Sequence, residues 1–138
     1  MVATADRLLE RPFLLPAQEK VKPKTIEEAI LIPWKKLVNT GGYRALLEIL
    51  IASRTDVKLQ ERISEKLQKW NEALDQQAME TYRSKTGNQE DVKILMTMNR
   101  SLMRGLVIQD SYGADPEESL KYIHRWIELI SPLLELKP

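Results

Sequence analysis

The sequence predicts an all-α fold, an antiparallel helical bundle of five to six helices in which the last two form a four-helix bundle with a second copy of the chain. Three observations lead there. From Thr25 onward, apolar residues recur at spacings of three and four, the period of helices with one buried face. Helix start signals stand directly before these stripes: T-x-x-E at Thr25 and Glu28, and Asp115-Pro116-Glu117-Glu118 near the C-terminus. Each of the two final helices carries two apolar stripes, although a terminal helix of a monomer needs only one.

Composition sets the outer bounds. With 138 residues, 43% of them hydrophobic, the chain is long enough for one core and too short to promise two. A net charge of +1 gives no basic surface for nucleic acid. There is no cysteine, which excludes disulfides and thiol chemistry, and the single His124 makes a histidine-based metal or nucleophile site improbable. Without an apolar run of about 20 residues or an apolar signal core, a cytoplasmic protein with no membrane partner is expected.

Residues 1–24 read as the end of an inter-domain helix, MVATADRLLER, followed by a connecting loop. Pro12, Pro16 and Pro23 forbid regular helix there, while Phe13, Leu14 and Leu15 offer an apolar patch for docking. Lys20, Lys22 and Lys24 read as a solvated linker, since no aromatic or Gly-rich partner accompanies them. Residues 25–138 form the domain proper.

Its first helix starts at the Thr25 capping box and runs to about Asn39, kinked at Pro33 and ended by Gly41-Gly42. Trp34, Leu37 and Val38 face inward. The next stretch, YRALLEILIASRTD from Tyr43 to Asp56, is the most apolar run and reads as a central helix buried on all sides. Thr55 or Asp56 then caps a long helix with one stripe: Leu59, Ile63, Leu67, Trp70, Leu74, Ala78 and Tyr82. Reaching Lys85 would make it about 45 Å long. A compact chain of this size has a radius of gyration of about 14 Å, so this helix must bend or project.

Gly87 and Asn88 separate that helix from the next, which extends to Asp110. Leu95, Met98, Leu102 and Leu106 form one stripe on it; Val92, Met96, Met103 and Val107 form another. On the last helix the stripes are Leu120, Ile123, Ile127, Ile130 and Leu134, and Tyr122, Trp126, Leu129 and Leu133. A homodimer uses both sets, through Leu95, Leu102, Gly105, Leu106, Tyr122, Trp126, Leu129 and Leu133. Gly105, unfavourable inside a helix by about 1 kcal/mol relative to Ala, fits a place where another backbone approaches.

No chemistry-bearing constellation stands out: there is no Gly-rich phosphate loop, no HExxH, no CxxC and no Ser/His/Asp set. The acidic pairs Glu27-Glu28 and Glu117-Glu118 fall in first helical turns, where they favour the dipole. Neither catalysis nor a cofactor is expected, and His124, beside Ile123 and Ile127 at the edge of the apolar stripe, reads as a structural or interface residue.

The segment LLEILIASRTDVKLQERI resembles the sensing domain of TetR-type transcriptional regulators, which often carry a segment of the form LLxxLxAARTDxxLxxxL. The matching residues are Leu46, Leu47, Leu50, Ala52, Arg54, Thr55, Asp56 and Leu59. LMRGLVIQ (Leu102–Gln109) and DPEESLKYIHRWIELI (from Asp115) are similar to that family's dimerising helices, so the resemblance covers about residues 25–136. It implies a C-terminal effector-binding and dimerisation domain of a repressor, with an unknown small molecule held among the first, central, long and penultimate helices. Trp34, Leu37, Leu47, Ile51, Trp70, Met96, Asn99, Arg100 and Met103 are the implied ligand-binding residues. An inward Arg100 would need an anionic effector or a buried carboxylate as partner. Residues 1–24 contain no helix-turn-helix, so DNA would be bound only through an N-terminal domain outside this chain. The alternative is an all-helical adaptor that binds another protein and no small molecule.

Overall fold

The computed structural model describes residues 23–38, 40–110, 112–113 and 115–138; the expected end of an inter-domain helix and nearly all of the expected connecting loop lie outside them. Helices α1 (Ile26–Pro33), α2 (Gly41–Ser53), α3 (Val57–Thr81), α4 (Glu90–Asp110) and α5 (Pro116–Ile130) make the expected all-α bundle. To these the described residues add two short strands, β1 (Tyr82–Ser84) and β2 (Leu134–Leu136). No described helix is long and apolar enough to cross a membrane.

The start signals work by satisfying orphan amides. Thr25 Oγ1 accepts from Glu28 N at 3.1 Å, while Glu28 Oε2 reaches back to Lys24 N at 2.9 Å, one residue before the cap. Asp56, rather than Thr55, caps α3 by accepting from Leu59 N at 3.1 Å, and Asp115 caps α5 by accepting from Glu117 N at 3.0 Å. Asn88 Oδ1 accepts from Glu90 N at 3.1 Å just ahead of α4, after Gly87 has turned the chain at φ +88°.

Three boundaries differ from expectation. Pro33 ends α1, because it has no N–H to give the preceding turn, and the chain continues as a wider π-helical turn, Trp34–Val38. Gly41-Gly42 does not terminate the first helix but opens α2, where the Thr40 hydroxyl accepts from Tyr43 N at 3.3 Å. The long helix stops at Thr81, four residues early. At 25 residues it spans about 37 Å. It does not run clear of the body, since Leu59 near its start and Ala78 near its end are both buried.

Its C-terminal end is tied down by the strand pair. β1 and β2 are antiparallel with Tyr82 opposite Leu136, Arg83 opposite Glu135 and Ser84 opposite Leu134. Lys85 N donates to Leu133 O at 2.8 Å and Lys137 N to Thr81 O at 2.9 Å, extending the pairing on both sides. Pro132 makes this possible: α5 cannot continue through it, so Leu133 and Leu134 leave the helical stripes to which their spacing assigns them.

One core joins all elements. Ile30, Leu46, Ile63, Trp70, Val92, Val107, Ile123, Ile130 and Leu134 are its most deeply buried members, each worth roughly 1.5–3 kcal/mol of transfer free energy for a side chain of the Val, Leu or Ile class. α2 is not buried on all sides as its composition suggests. Tyr43, Leu46 and Leu47 point into the core, while Ile51 is 49% exposed and Ala52 is exposed. Ile51 sits roughly 80–100° round the helix from the core-facing direction, which is why its apolar character does not bury it.

Candidate functional site

α4 organises the region. It runs antiparallel to α3, with Arg100 meeting Asp75 and Arg104 meeting Trp70. It runs antiparallel to α5 as well, with Asn99 meeting Trp126 and Asp110 meeting Ser119. Its surface therefore divides lengthwise into a side toward α3, a side toward the core and α5, and an outward strip.

On the α3 side, Arg100 Nη2 lies 2.7 Å from Asp75 Oδ1, and both side chains are largely sheltered. One helical turn on, the Arg104 guanidinium lies 5.2 Å from the centroid of the Trp70 ring, and its Nε–H donates to Tyr43 Oη at 3.0 Å. Trp70 is 2% exposed, and its indole N–H has no hydrogen-bond partner among the described residues.

Toward the core, Asn99 is a buried polar hub. Its Oδ1 accepts from Trp126 Nε1–H at 2.9 Å, while its Nδ2 lies 3.9 Å from Met103 Sδ. Ser119 Oγ donates to Asp110 Oδ1 at 2.6 Å, fastening the other end of the α4–α5 pair; Asp110 Oδ2 has no partner among the described residues.

Of the expected ligand-binding residues, Trp34, Leu47, Trp70, Asn99 and Met103 are buried, and Met96 is half-buried against the same core. The Leu37 side chain lies outside what is described. Ile51 does not join the group, because it faces solvent. Arg100 does point inward, but its partner is the Asp75 carboxylate, so the anionic-effector reading of this residue is not needed. Arg104, Tyr43 and Asp75 escaped the sequence reading. Arg104 stands four residues after Arg100 on the same helix face, and that spacing was the available signal.

The outward strip of α4 is formed by Ile94, Met98, Ser101, Gly105 and Ile108, a repeat of four and three on the side away from the core. Met98 is 50% exposed, and a Cβ added at Gly105 would meet none of the described residues within 4 Å. On α5, Tyr122 is 50% and Leu129 54% exposed, with half-buried Trp126 between them. Since Trp126 is bonded to Asn99, this α5 edge adjoins α4, and the two helices present one apolar surface. Leu95 and Leu102 lie half-buried on α4, whereas Leu133, expected in the same set, has left α5 after Pro132 and is exposed in the turn before β2, where its carbonyl accepts from Lys85 N. Leu106 corrects the expected set: it is buried in the core of its own chain, because it shares the core-facing side of α4 with Asn99 and Met103.

Compared with known proteins, this chain matches no family model, no curated protein and no solved structure. It has exposed apolar side chains on α4 and α5 and, behind them, a buried cluster of aromatic and polar side chains.

Proposed function

We propose that this chain is the effector-sensing and dimerisation domain of a TetR-like transcriptional regulator, a homodimer that responds to a small molecule. It would act in the cytoplasm and reach DNA through an N-terminal domain outside this sequence. The observation that carries the reading is the continuous outward apolar surface of α4 and α5, formed by Met98, Gly105, Tyr122 and Leu129, at the place where the sequence calls for a second copy. Two antiparallel helices with such a face make a four-helix bundle when paired about a two-fold axis. The resemblance of LLEILIASRTDVKLQERI to sensing domains supports the same assignment.

The mechanism follows from the position of α4. The helix carries buried side chains on one side, Asn99 and Met103, and the dimer surface on the other, Met98 and Gly105. A molecule that inserts among Trp34, Leu47, Trp70 and Met103 displaces α4 and thereby changes the angle between the two copies. DNA readers attached to those copies would lose or gain the spacing of their half-sites.

Size-exclusion chromatography with light scattering at micromolar concentration should give a dimer. Met98→Glu and Leu129→Glu should each shift the chain to monomer with unchanged helical circular dichroism. A monomeric wild-type chain would overturn the reading and leave the surface to a different protein, as in an adaptor.

A further inference from the structure

The sensing reading leaves the chemistry of the effector open, and the cluster at Arg104 narrows it. Arg104 has five N–H donors in a planar fork, of which Nε is engaged by Tyr43 Oη at 3.0 Å. Its other contact among the described residues is the face of the Trp70 ring, and no described carboxylate lies within ion-pairing distance. The neighbouring Arg100 shows the contrast, since it is matched by Asp75 at 2.7 Å. The ring that the guanidinium covers carries a second donor without a partner among the described residues, the indole N–H of Trp70, in a residue only 2% exposed. An unpaired buried donor is unfavourable, and native proteins rarely leave one without a reason.

Resting on the sensing reading above, we propose that Arg104 and Trp70 are the recognition end of the effector site and that the effector is an organic carboxylate on an apolar body. The outer nitrogens of the Arg104 fork take the carboxylate bidentately, as guanidinium geometry favours. The Trp70 N–H donates to one of the same carboxylate oxygens through its second lone pair, and the ligand's apolar body lies against Leu47 and Met103. Tyr43 holds the guanidinium in place from α2, so it is a positioning residue. Charge selects a monoanion over a phosphate dianion: one guanidinium and one neutral donor balance a single negative charge, and a second would be left uncompensated in apolar surroundings.

The test is isothermal titration of the full chain with benzoate, salicylate, phenylacetate, indole-3-acetate and octanoate, each against its amide, with inorganic phosphate alongside. At least one carboxylate should bind saturably, one per chain, with its amide weaker by about tenfold or more and phosphate not binding. Arg104→Gln should weaken that carboxylate by about tenfold or more and leave its amide unchanged, and Arg104→Lys should fall in between. Trp70→Phe, which removes the N–H and keeps an aromatic ring, should weaken acid and amide alike. Circular dichroism of each variant establishes folding, and if Arg104→Gln fails to fold, Arg104→Lys carries the comparison. Equal binding of acid and amide, wild-type affinity in Arg104→Gln, or no binding by any of the carboxylates would overturn the proposal. The two readings fail separately: a dimer that binds amides as well as acids keeps the sensing role and loses the anion, whereas a monomer that binds nothing loses both.

Discussion

Arg100 and Asp75 face each other across α3 and α4 at 2.7 Å, and their side chains are 18% and 27% exposed. This pair turns two helices that touch through apolar residues into helices with a fixed register, because only one sliding position brings the guanidinium to the carboxylate. A partly sheltered, charge-assisted bond of this kind is stronger than a surface ion pair. Asp75→Ala should lower unfolding free energy by about 1–2 kcal/mol, since it leaves Arg100 unmatched in a sheltered place. In the Asp75→Ala background, Arg100→Ala should cost less than it does alone, and a urea-denaturation double-mutant cycle reads the difference. Additive losses would mean that the pair contributes nothing beyond its separate side chains.

A different kind of coupling runs through Asn99. Its carbonyl oxygen is the acceptor for Trp126 Nε1–H at 2.9 Å, so the residue that supports the buried cluster also positions a side chain of the outward surface. Asn99→Leu keeps the volume and removes the acceptor. We expect a loss of about 1–3 kcal/mol in urea midpoint analysis, much of it due to the stranded indole N–H. Under the dimer reading, the dissociation constant of the two copies should also rise, which sedimentation velocity would report. An unchanged stability would show that Trp126 finds another partner.

How much of this was legible in the sequence depends on whether the signal is local. Thr25, Asp56, Asn88 and Asp115 cap their helices by bonds to residues two or three positions on, so the letters nearby suffice. The stripes of α3, α4 and α5 are legible for the same reason. Gly41-Gly42 misled because two glycines suit the end of one helix as well as the first turn of the next; the Thr40 hydroxyl decides for the latter. Leu134 continues a helical stripe by spacing, yet it lies in β2, since Pro132 frees the chain to find β1 roughly fifty residues back in sequence. The buried cluster was legible only in its apolar members. Trp70 and Met103 lie on stripes, whereas the pairing of Arg104 with Tyr43 joins residues whose proximity is set by how three helices pack.

Tyr82 gives the fold a pH dependence with a definite sign. Burial holds its phenol away from water and pushes its pKa from 10.0 up to about 12. The folded chain therefore keeps the phenolic proton where the unfolded chain releases it. The resulting stability, roughly 2–3 kcal/mol, is fully present below pH 10 and is lost as pH rises toward 12. Tyr82→Phe cannot ionise and should lack this contribution. Urea midpoints of both proteins at pH 9 and pH 11.5 share the titration of every lysine, so the difference between their losses isolates Tyr82. Parallel losses would mean that the phenol is hydrated in the folded chain.

Gly105 separates an unpartnered surface from a shared one by the sign of a single substitution. Inside α4 it lowers helix stability, and an added Cβ would meet none of the described residues within 4 Å. For an isolated chain, Gly105→Ala should raise unfolding free energy by about 0.5–1 kcal/mol. In a two-fold bundle the missing side chain is what lets the facing helix come close, so the same change must hold the copies apart. Gly105→Ala should then weaken association, and Gly105→Leu should weaken it further. The measurement is a dissociation constant by sedimentation equilibrium, set beside urea midpoints taken well below that constant, where both substitutions leave the monomer at least as stable as the wild type. A Gly105→Leu chain that associates as tightly as the wild type would put the contact between copies away from this strip, because a leucine cannot enter a close helix crossing without moving it.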